Sequence, residues 1–586
     1  MAINKLSSVD IQATTGKKQV KYINKDYTEF KQSLVNFTKF YFPNDYQDFS
    51  DASPGSIFID MASYVGDVLS YYTDHSFKEN LLAYAEEREN IVSIAQGFGY
   101  KPRATAPSFC KATVSMLAPA DAEGNLDQTY LLRINAGSSF TSNIVGNVNF
   151  ISDDIVDFVD PTNRTVRPFA IENTTGIPTS YVISKPVKLI SATEKSFDYV
   201  VGDPEKYLSV ILPDTNVVDI KSVVDEEGNT WNQVDTLSQD YIFEDTLINT
   251  TGTTSPLYKI KTRKANRRFV TRLDRQLRTE LIFGSGTGDL DDVYENPDYK
   301  SVYDQQYLQN MTNVSLDTLN FTNSNSFGLA PGNTTLTVTY RIGGGTSTNV
   351  PANTVTRVNT LDILNETRVL NSSELTTFNA AVSSVSITND EPASGGADSP
   401  SIEEIRNSAI GYINAQGRIV TTSDYEKRVL SIPAKYGAIA KAFVVSDDHI
   451  NRIRDFTARQ NESELSLDPE DDVLYVQDNP INTNINLYLL GYDSDRRMAV
   501  LNNTVKSNVK KFLNGYRMLT DRINILDAFV VNFGINYSIV VYEGFNSYDV
   551  IAKASDRLKS YFDSDNQQIN QPIIKADVLL EIARVE

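Results

Sequence analysis

The sequence predicts an α+β, multidomain protein: an N-terminal helical domain, a long β-rich middle and a small C-terminal α/β domain of ferredoxin-like, split βαβ type. Three observations carry this. The hydrophobic period is close to 3.6 residues up to Gly99, drops to 2 after Pro107, and past residue 480 becomes an alternation of strand and helix patterns. The 586 residues are material for about four domains at about 150 residues each. A content of 40% hydrophobic and 10% aromatic residues is enough to fill several cores.

Residues 1–24 are polar and read as an extended arm; 25–105 read as a helical bundle domain. Tyr27, Phe30, Leu34, Phe37 and Tyr41 recur at spacings of three and four and predict a first helix, with Asp26 and Glu29 as its capping box and Pro43 as its stop. Ser53–Pro54 reads as N-cap and first residue of a second helix. Its apolar stripe is Ile57, Met61, Tyr64, Val65, Val68, Leu69 and Tyr72. A third helical stretch around Ile91 and Ile94 ends at Gly97 and Gly99, which suit a C-cap. The stripe of the second helix is broader than one neighbouring helix covers, so Tyr64, Val68, Leu69 and Tyr72 are expected to pack in an intermolecular bundle.

Residues 106–385 form the β-rich middle, with room for two subdomains. Cys110, Ala112, Val114 and Met116 alternate with Lys111, Thr113 and Ser115, and Leu336, Val338, Tyr340 and Ile342 alternate with Thr335, Thr337, Thr339 and Arg341. The Gly-, Ser- and Pro-rich stretch 386–401 reads as a linker. Residues 402–445 are helical: Ile402, Ile405, Ala409 and Ile413 mark one helix, and Ser423 with Glu426 reads as the capping box of a second that stops before Pro433. Residues 446–480 read as an acidic loop, with ten Asp or Glu between Asp447 and Asp478 against three Arg. Residues 481–586 complete the chain as the α/β domain: a strand at Ile485–Leu490, a helix from Met498 to Phe512, strands at Ile523–Asp527 and Phe529–Tyr542, and a helix from Val550 to Phe562. A helical pattern from Val578 to Val585 runs to the last residues, and the natural chain is expected to continue past Glu586.

The composition is poor in catalytic equipment. Two histidines, His75 and His449, and one cysteine, Cys110, leave little for triads, thiolate zinc sites or disulfides. His75 is expected to be a packing or interface residue, His449 a solvated one, and Cys110 a buried, inert thiol. Gly284–Ser285–Gly286–Thr287–Gly288 follows a strand as a phosphate cradle would, but Asp289 stands where the third glycine should be and Asp291, Asp292 and Glu295 would repel phosphate. Carboxylates are too common in a chain of net charge −21 for any two to be singled out as a glycosidase pair. That acidity also argues against nucleic acid and anionic membranes. The basic run Lys259–Arg278, with Arg267, Arg268 and Arg272 among nine cations, could grip a phosphate backbone. The nearer reading is a hairpin, turning near Asp274–Arg275, whose wet face docks an acidic protein surface. Met1–Asp10 is polar with no apolar run behind it, and no stretch reaches the ~18 apolar residues of a membrane span, so neither a signal peptide nor membrane insertion is predicted. No cofactor is expected.

Four places in the chain, taken together in order and spacing, resemble the baseplate J-like, or wedge, proteins of contractile injection machines, with the wedge subunit of T-even-type myophages the nearest in look. They are Asp51-Ala-Ser-Pro-Gly-Ser-Ile57 (with Pro54 and Gly55) through to Gly97-Phe-Gly-Tyr-Lys-Pro-Arg-Ala104; Glu280-Leu-Ile-Phe-Gly-Ser-Gly286; Phe327-Gly-Leu-Ala-Pro331 leading into Leu336 to Gly345 (with Gly343 and Gly344); and Ala393-Ser-Gly-Gly-Ala-Asp398, Ile402 to Arg406 and Arg418 to Glu426 (with Asp424 and Tyr425). The resemblance implies a structural virion protein of the tail baseplate, assembled in the host cytoplasm, and not an enzyme. It implies homodimers whose N-terminal helices bundle with a second wedge protein. It also implies a C-terminal domain that joins neighbouring wedges into a ring around the hub, and a swing of the wedges that releases the sheath and leads to genome ejection. For the motif residues it implies structural roles: helix entry at Asp51 and Pro54, tight turns at the glycines, and helix capping at Asp424 and Tyr425. Two rival readings stand beside it: a tail-associated glycan-degrading enzyme, which turnover of host surface polysaccharide would reveal, and a receptor-binding tail protein, which the helical N-terminus and lack of repeats disfavour.

Overall fold

The computed structural model describes residues 13–14, 17–18, 27–42, 47–50, 53–144, 147–172, 177–239, 241–247, 258–274, 276–286, 327–364, 371–446, 484–542, 544–563 and 566–585. Contacts divide the chain into two units, Met1–Phe98 and Gly99–Glu586. The α+β, multidomain class read from the sequence is what is observed: a helical N-terminal region, a large β-rich middle and helices towards the C-terminus.

The first unit holds α1 (Tyr27–Tyr41), α2 (Pro54–Glu79) and α3 (Arg88–Gly97). Of the arm, Ala13–Thr14 pairs with Lys17–Lys18; Asp26, Pro43 and Asp51 lie outside the described residues. Ser53 is extended (φ −74°, ψ 135°) and Pro54 opens α2, where its missing N–H costs nothing, although the Ser53 hydroxyl makes no cap bond. Helices α1 and α2 meet at Gly66, where an added Cβ would lie 3.2 Å from the Phe30 ring, and at an ion pair of Lys31 with Asp60 at 2.8 Å. Neither helix buries a large apolar side chain: α1 buries nothing, and α2 only Ser56, Ser63 and Glu79. In contrast, α3 buries Ile91, Val92 and Ala95 and ends at Gly97, followed by Gly99 at φ +87°, as its glycines predicted.

Glu79 fixes the entry to α3. Its carboxylate accepts from the backbone N–H of Glu86 (2.9 Å) and Glu87 (3.3 Å) and from the Asn90 amide (2.9 Å), groups a helix start otherwise leaves open. Burial alone would raise the Glu79 pKa. The donations from Asn90, Glu86 and Glu87, with the nearby His75, outweigh it and hold the carboxyl below the usual glutamate value. A carboxyl depressed in the folded state adds stability above its unfolded pKa and loses it as pH falls through the folded one. Glu79→Ala should therefore cost about 2 kcal/mol at neutral pH, with the difference from the parent vanishing in acid; urea unfolding followed at two pH values checks both.

The second unit is built on three sheets. The first has seven strands, all antiparallel, in the order Val355–Thr360, Ser139–Ser142, Asn149–Ser152, Pro178–Ile190, Phe109–Pro119 and Ser386–Asn389, with Thr165–Ile171 also on Pro178–Ile190. The alternation read from Cys110 to Met116 is the observed one: those side chains enter a core with Phe140, Phe150 and Ile183. That core is closed by Phe378 and Ala381 of α4 (Ser372–Ser383). Helix α4 falls in the stretch read as β-rich; Asn371 and Glu374 form its capping box.

The second sheet runs Ala192–Val201, Thr334–Gly343, Val217–Val224, Thr230–Gln233, Arg268–Leu273, Thr279–Phe283 and Ser209–Ile211, with one parallel pair, Thr230–Gln233 against Arg268–Leu273. Leu336, Val338 and Tyr340 point into its core beside Trp231 and Phe283, whose rings meet edge to face at 5.2 Å. Arg341 departs from the alternation. It is 8% exposed and reaches Asp153 at 3.3 Å and Asp219 at 3.7 Å. Tyr241–Leu247 and Tyr258–Lys264 form a separate antiparallel pair.

Helices α5 (Ile402–Ala415) and α6 (Thr422–Leu430) follow. Helix α6 is capped two residues earlier than expected: the box is Thr421 with Asp424, not Ser423 with Glu426, because Thr421 is the residue that is extended (φ −100°, ψ 161°) when the helix begins. The stretch 386–401 is not a solvated tether. Ala393, Ser394 and Ala397 are each less than 5% exposed, and the small residues there allow close packing rather than chain freedom.

The third sheet has Asn484–Tyr492 at its centre, antiparallel to Lys441–Ser446 and parallel to Arg522–Asp527, with Met498–Ala499 at one end. Helix α7 (Asn503–Leu513) is the crossover and buries Val505, Val509, Phe512 and Leu513; α8 (Ser547–Tyr561) and α9 (Lys575–Ala583) end the chain. The α/β character is as read, with a difference in the ladder. The two parallel strands are direct neighbours, with no strand between them to split the unit. Phe529–Tyr542, expected as a strand, is assigned to no sheet. The acidic loop and His449 lie outside the described residues. Among the described residues no helix is long and apolar enough to cross a membrane.

Candidate functional site: an uncovered helical face and a glycine junction

On α2 the side chains that a core would claim are outside. Ile57, Met61, Tyr64, Leu69 and Tyr72 are each about 60% exposed, Phe58 and Tyr71 are 66% exposed, and Val68 is half-buried. They recur at three and four residues, which places them along one side of a 26-residue helix about 39 Å long at about 1.5 Å per residue. His75 stacks on Tyr71 at 6.0 Å, one turn below. Phe37, Phe40 and Tyr41 of α1 are also exposed, at 52%, 78% and 61%. Contiguous exposed apolar surface, unlike single scattered side chains, is in general characteristic of interaction sites.

The basic residues behave differently from one another. Arg268, expected on a wet, docking face, is 3% exposed, with Nε donating to the Leu237 carbonyl at 2.7 Å and NH1 to that of Ala265 at 2.9 Å. Backbone carbonyls occupy its guanidinium, so the expectation for Arg268 is corrected. Arg267 is half-buried, 3.9 Å from Asp225; Arg272 is exposed, opposite Glu280 in the ladder. The run is split over two strand pairs, and the turn sits where it was read, with Arg278 Nε and NH2 donating to Asp274 at 3.0 and 2.7 Å.

The second, third and fourth motif segments, far apart in sequence, are joined in pairs. Gly286 N–H donates to the Gly328 carbonyl at 2.8 Å and Ala330 N–H to that of Gly286 at 2.7 Å, joining the second motif to the third. Gly286 of the would-be phosphate loop is thus bonded to the chain's own backbone, while Thr287 and Gly288 lie outside the described residues. Gly343, Gly344 and Gly345 have φ of +145°, +87° and +103°. A Cβ on Gly344 would lie 2.6 Å from the Ala106 carbonyl oxygen, and Gly345 N–H donates to that oxygen at 3.1 Å. Asp398 accepts from Thr346 N–H (3.2 Å) and hydroxyl (2.9 Å), while Asn349 and Gly396 exchange two bonds at 2.8 and 2.9 Å. Asn502 caps α7 and also donates to the carbonyls of Phe109 (2.6 Å) and Pro392 (3.0 Å), bringing the third sheet in. Tyr425 is 1% exposed and donates to Asp521 at 2.7 Å; burial, then that carboxylate, push its phenol pKa up. Asn349 and Asn502 were not singled out from sequence. Asn502 carried a signal, standing before an apolar-periodic run as a helix cap does; Asn349 carried none.

Cys110 is fully buried, and burial with nearby Glu391 pushes its thiol up to about 12. Lys441, Phe443, Tyr488, Met498, Phe529 and Ile573 line an open cleft of about 1620 Å³ in the C-terminal region. Among the described residues no three His, Cys, Asp or Glu are grouped to hold a metal ion.

Comparison with known proteins gives three findings. No curated protein matches the chain. Among solved structures, the baseplate of the anti-feeding prophage is similar at 10% identity, covering 96% of this chain and 92% of that one, with a TM-score of 0.25. The type VI secretion system TssK-TssF-TssG baseplate subcomplex is similar at 8% identity, covering 83% and 100%, with a TM-score of 0.22. Residues 26–97, the segment that carries the uncovered face of α2, match the family model described as bacteriophage baseplate protein, N-terminal domain; over those residues the chain is similar to bacteriophage baseplate proteins.

Proposed function

We propose that this chain is a structural virion protein, a baseplate wedge subunit of a contractile phage tail, and not an enzyme. One observation carries the reading: the segment similar to bacteriophage baseplate proteins is the one whose long helix presents an uncovered apolar stripe. In this reading Tyr64, Val68, Leu69 and Tyr72 pack in a bundle with a second copy and with another wedge protein. The exposed Arg272 and half-buried Arg267 face acidic neighbours. The C-terminal region joins neighbouring wedges into the ring around the hub, and the glycine junction holds the sheets together as the wedges swing and release the sheath. The chain is assembled in the host cytoplasm, works in the tail baseplate, and needs neither cofactor, nucleic acid nor membrane insertion. Light scattering and electron microscopy test the reading on the purified chain and on the chain co-expressed with the neighbouring tail proteins. Growth into wedge-shaped or ring particles with those partners alone is the expected result. A monomer indifferent to them would overturn it.

A further inference from the structure

Past the third sheet the chain is extended and, among the described residues, unpaired. From Phe529 to Val541 no backbone N–H or C=O has a backbone partner among the described residues. Nevertheless the segment is held in strand-like form. Ile535, Tyr537, Ile539 and Val541 turn inward while Asn536, Ser538, Val540 and Tyr542 face solvent, the period of a β-strand. Tyr537 anchors it to α8 through the Ser555 hydroxyl at 2.6 Å, and Phe533 meets Phe562 edge to face at 5.1 Å.

Its composition is that of a strand meant to be covered. The fourteen residues Phe529–Tyr542 contain no Asp, Glu, Lys, Arg or Pro, in a chain that is 22% charged. Open edges are ordinarily guarded by just those residues. An unpaired, uncharged strand of Phe, Val, Ile and Tyr joins to further strands unless something pairs with it.

We infer that Val531–Tyr542 pairs antiparallel with the same segment of a second copy, continuing across a two-fold axis. This deepens the homodimer in the reading above and rests on it. Three features favour a second copy over a strand of other origin. Antiparallel self-pairing of a neutral segment opposes no like charges, although each copy carries −21. It sets the Phe529 end of one copy, 90% exposed, against the Tyr542 end of the other, 87% exposed and followed by Phe545 (66%) and Tyr548 (83%). At about 150–250 Å² per aromatic side chain, these four rings supply roughly 500–800 Å² per copy. The pair then reaches roughly 1,000–1,600 Å², overlapping the about 1,200–2,000 Å² of stable, specific interfaces.

The test uses the full-length purified chain. Since Cys110 is the single cysteine and is buried, new cysteines report alone. Asn532→Cys, Asn536→Cys, Ser538→Cys and Val540→Cys place thiols along the outward face. Under mild oxidation the dimer yield should peak at one position, and variants equidistant from it should link to each other when mixed. Val540 is 98% exposed, so Val540→Glu leaves the fold alone; it should raise the dimer dissociation constant at least tenfold by sedimentation. A dimer with flat cross-linking yields, or one unmoved by Val540→Glu, would overturn the strand pairing and leave the homodimer standing. A monomer at every concentration would overturn both. Protection of the segment from hydrogen exchange by a different tail protein alone would assign the strand to that protein and overturn the self-pairing.

Discussion

Gly344→Ala should destabilise the Gly99–Glu586 unit by roughly 2–5 kcal/mol. The left-handed backbone costs a side-chain-bearing residue about 1–2 kcal/mol, and overpacking typically adds about 1–3 kcal/mol. The new methyl would stand 2.6 Å from the Ala106 oxygen, 2.7 Å from its carbonyl carbon and 3.1 Å from the Pro107 nitrogen, at φ +87°. All three are main-chain atoms, so no side chain can rotate away. Moving the 104–109 segment would break its bonds to Ala397 and Ser394 and disturb the Asn502 donation to Phe109. Gly202, in the same unit, is the control. Nothing lies within 4 Å of its would-be Cβ, and Gly202→Ala should stay within about 0.5 kcal/mol of the parent. Urea unfolding of the two variants side by side decides the matter; equal midpoints would refute the junction's rigidity.

Leu69→Asp should do the reverse, leaving the isolated chain intact and abolishing its assembly. Leu69 is 60% exposed, so the substitution removes little from the folded monomer. In a bundle the same side chain would be buried. Losing it forfeits about 1.5–3 kcal/mol, and a carboxylate left without a partner in an apolar contact adds at least about as much. Together these weaken partner binding by at least about a hundredfold. Co-purification with the neighbouring tail proteins, beside an unchanged melting temperature, is the measurement. Assembly at parental levels would remove the α2 face from the interface.

What was legible in the sequence follows from which forces are local. Cys110 to Met116 and Leu336 to Tyr340 could be read because side chains on a strand alternate, and only one face meets a core. Ser53–Pro54 and Gly97 could be read because helix ends ask for particular residues whatever lies beyond. Arg268 misled because a charge reads as surface, whereas two main-chain carbonyls satisfy this one inside. The 386–401 stretch misled for a related reason: Gly and Ser serve loose tethers and tight junctions equally. Thr421 and Ser423 offer the same cap chemistry two residues apart, and only the backbone conformation chooses between them. The junction itself was visible as separate glycine motifs but not as one place, since Gly344, Asn349, Gly396 and Asn502 meet only once the sheets are built.

The bond from Asn502 to Phe109 spans 393 residues, and that separation sets a clock on biosynthesis. At about 5–20 residues per second, roughly 20–80 s pass between the emergence of its two ends from the ribosome. In the last part of that interval, once Asn389 has been made, the first two sheets are complete in sequence but lack the residue that ties them to the third. The uncharged Phe529–Tyr542 segment is translated only after Asn502. Chain order therefore keeps this uncharged segment off the nascent chain until Asn502 is available to close the junction.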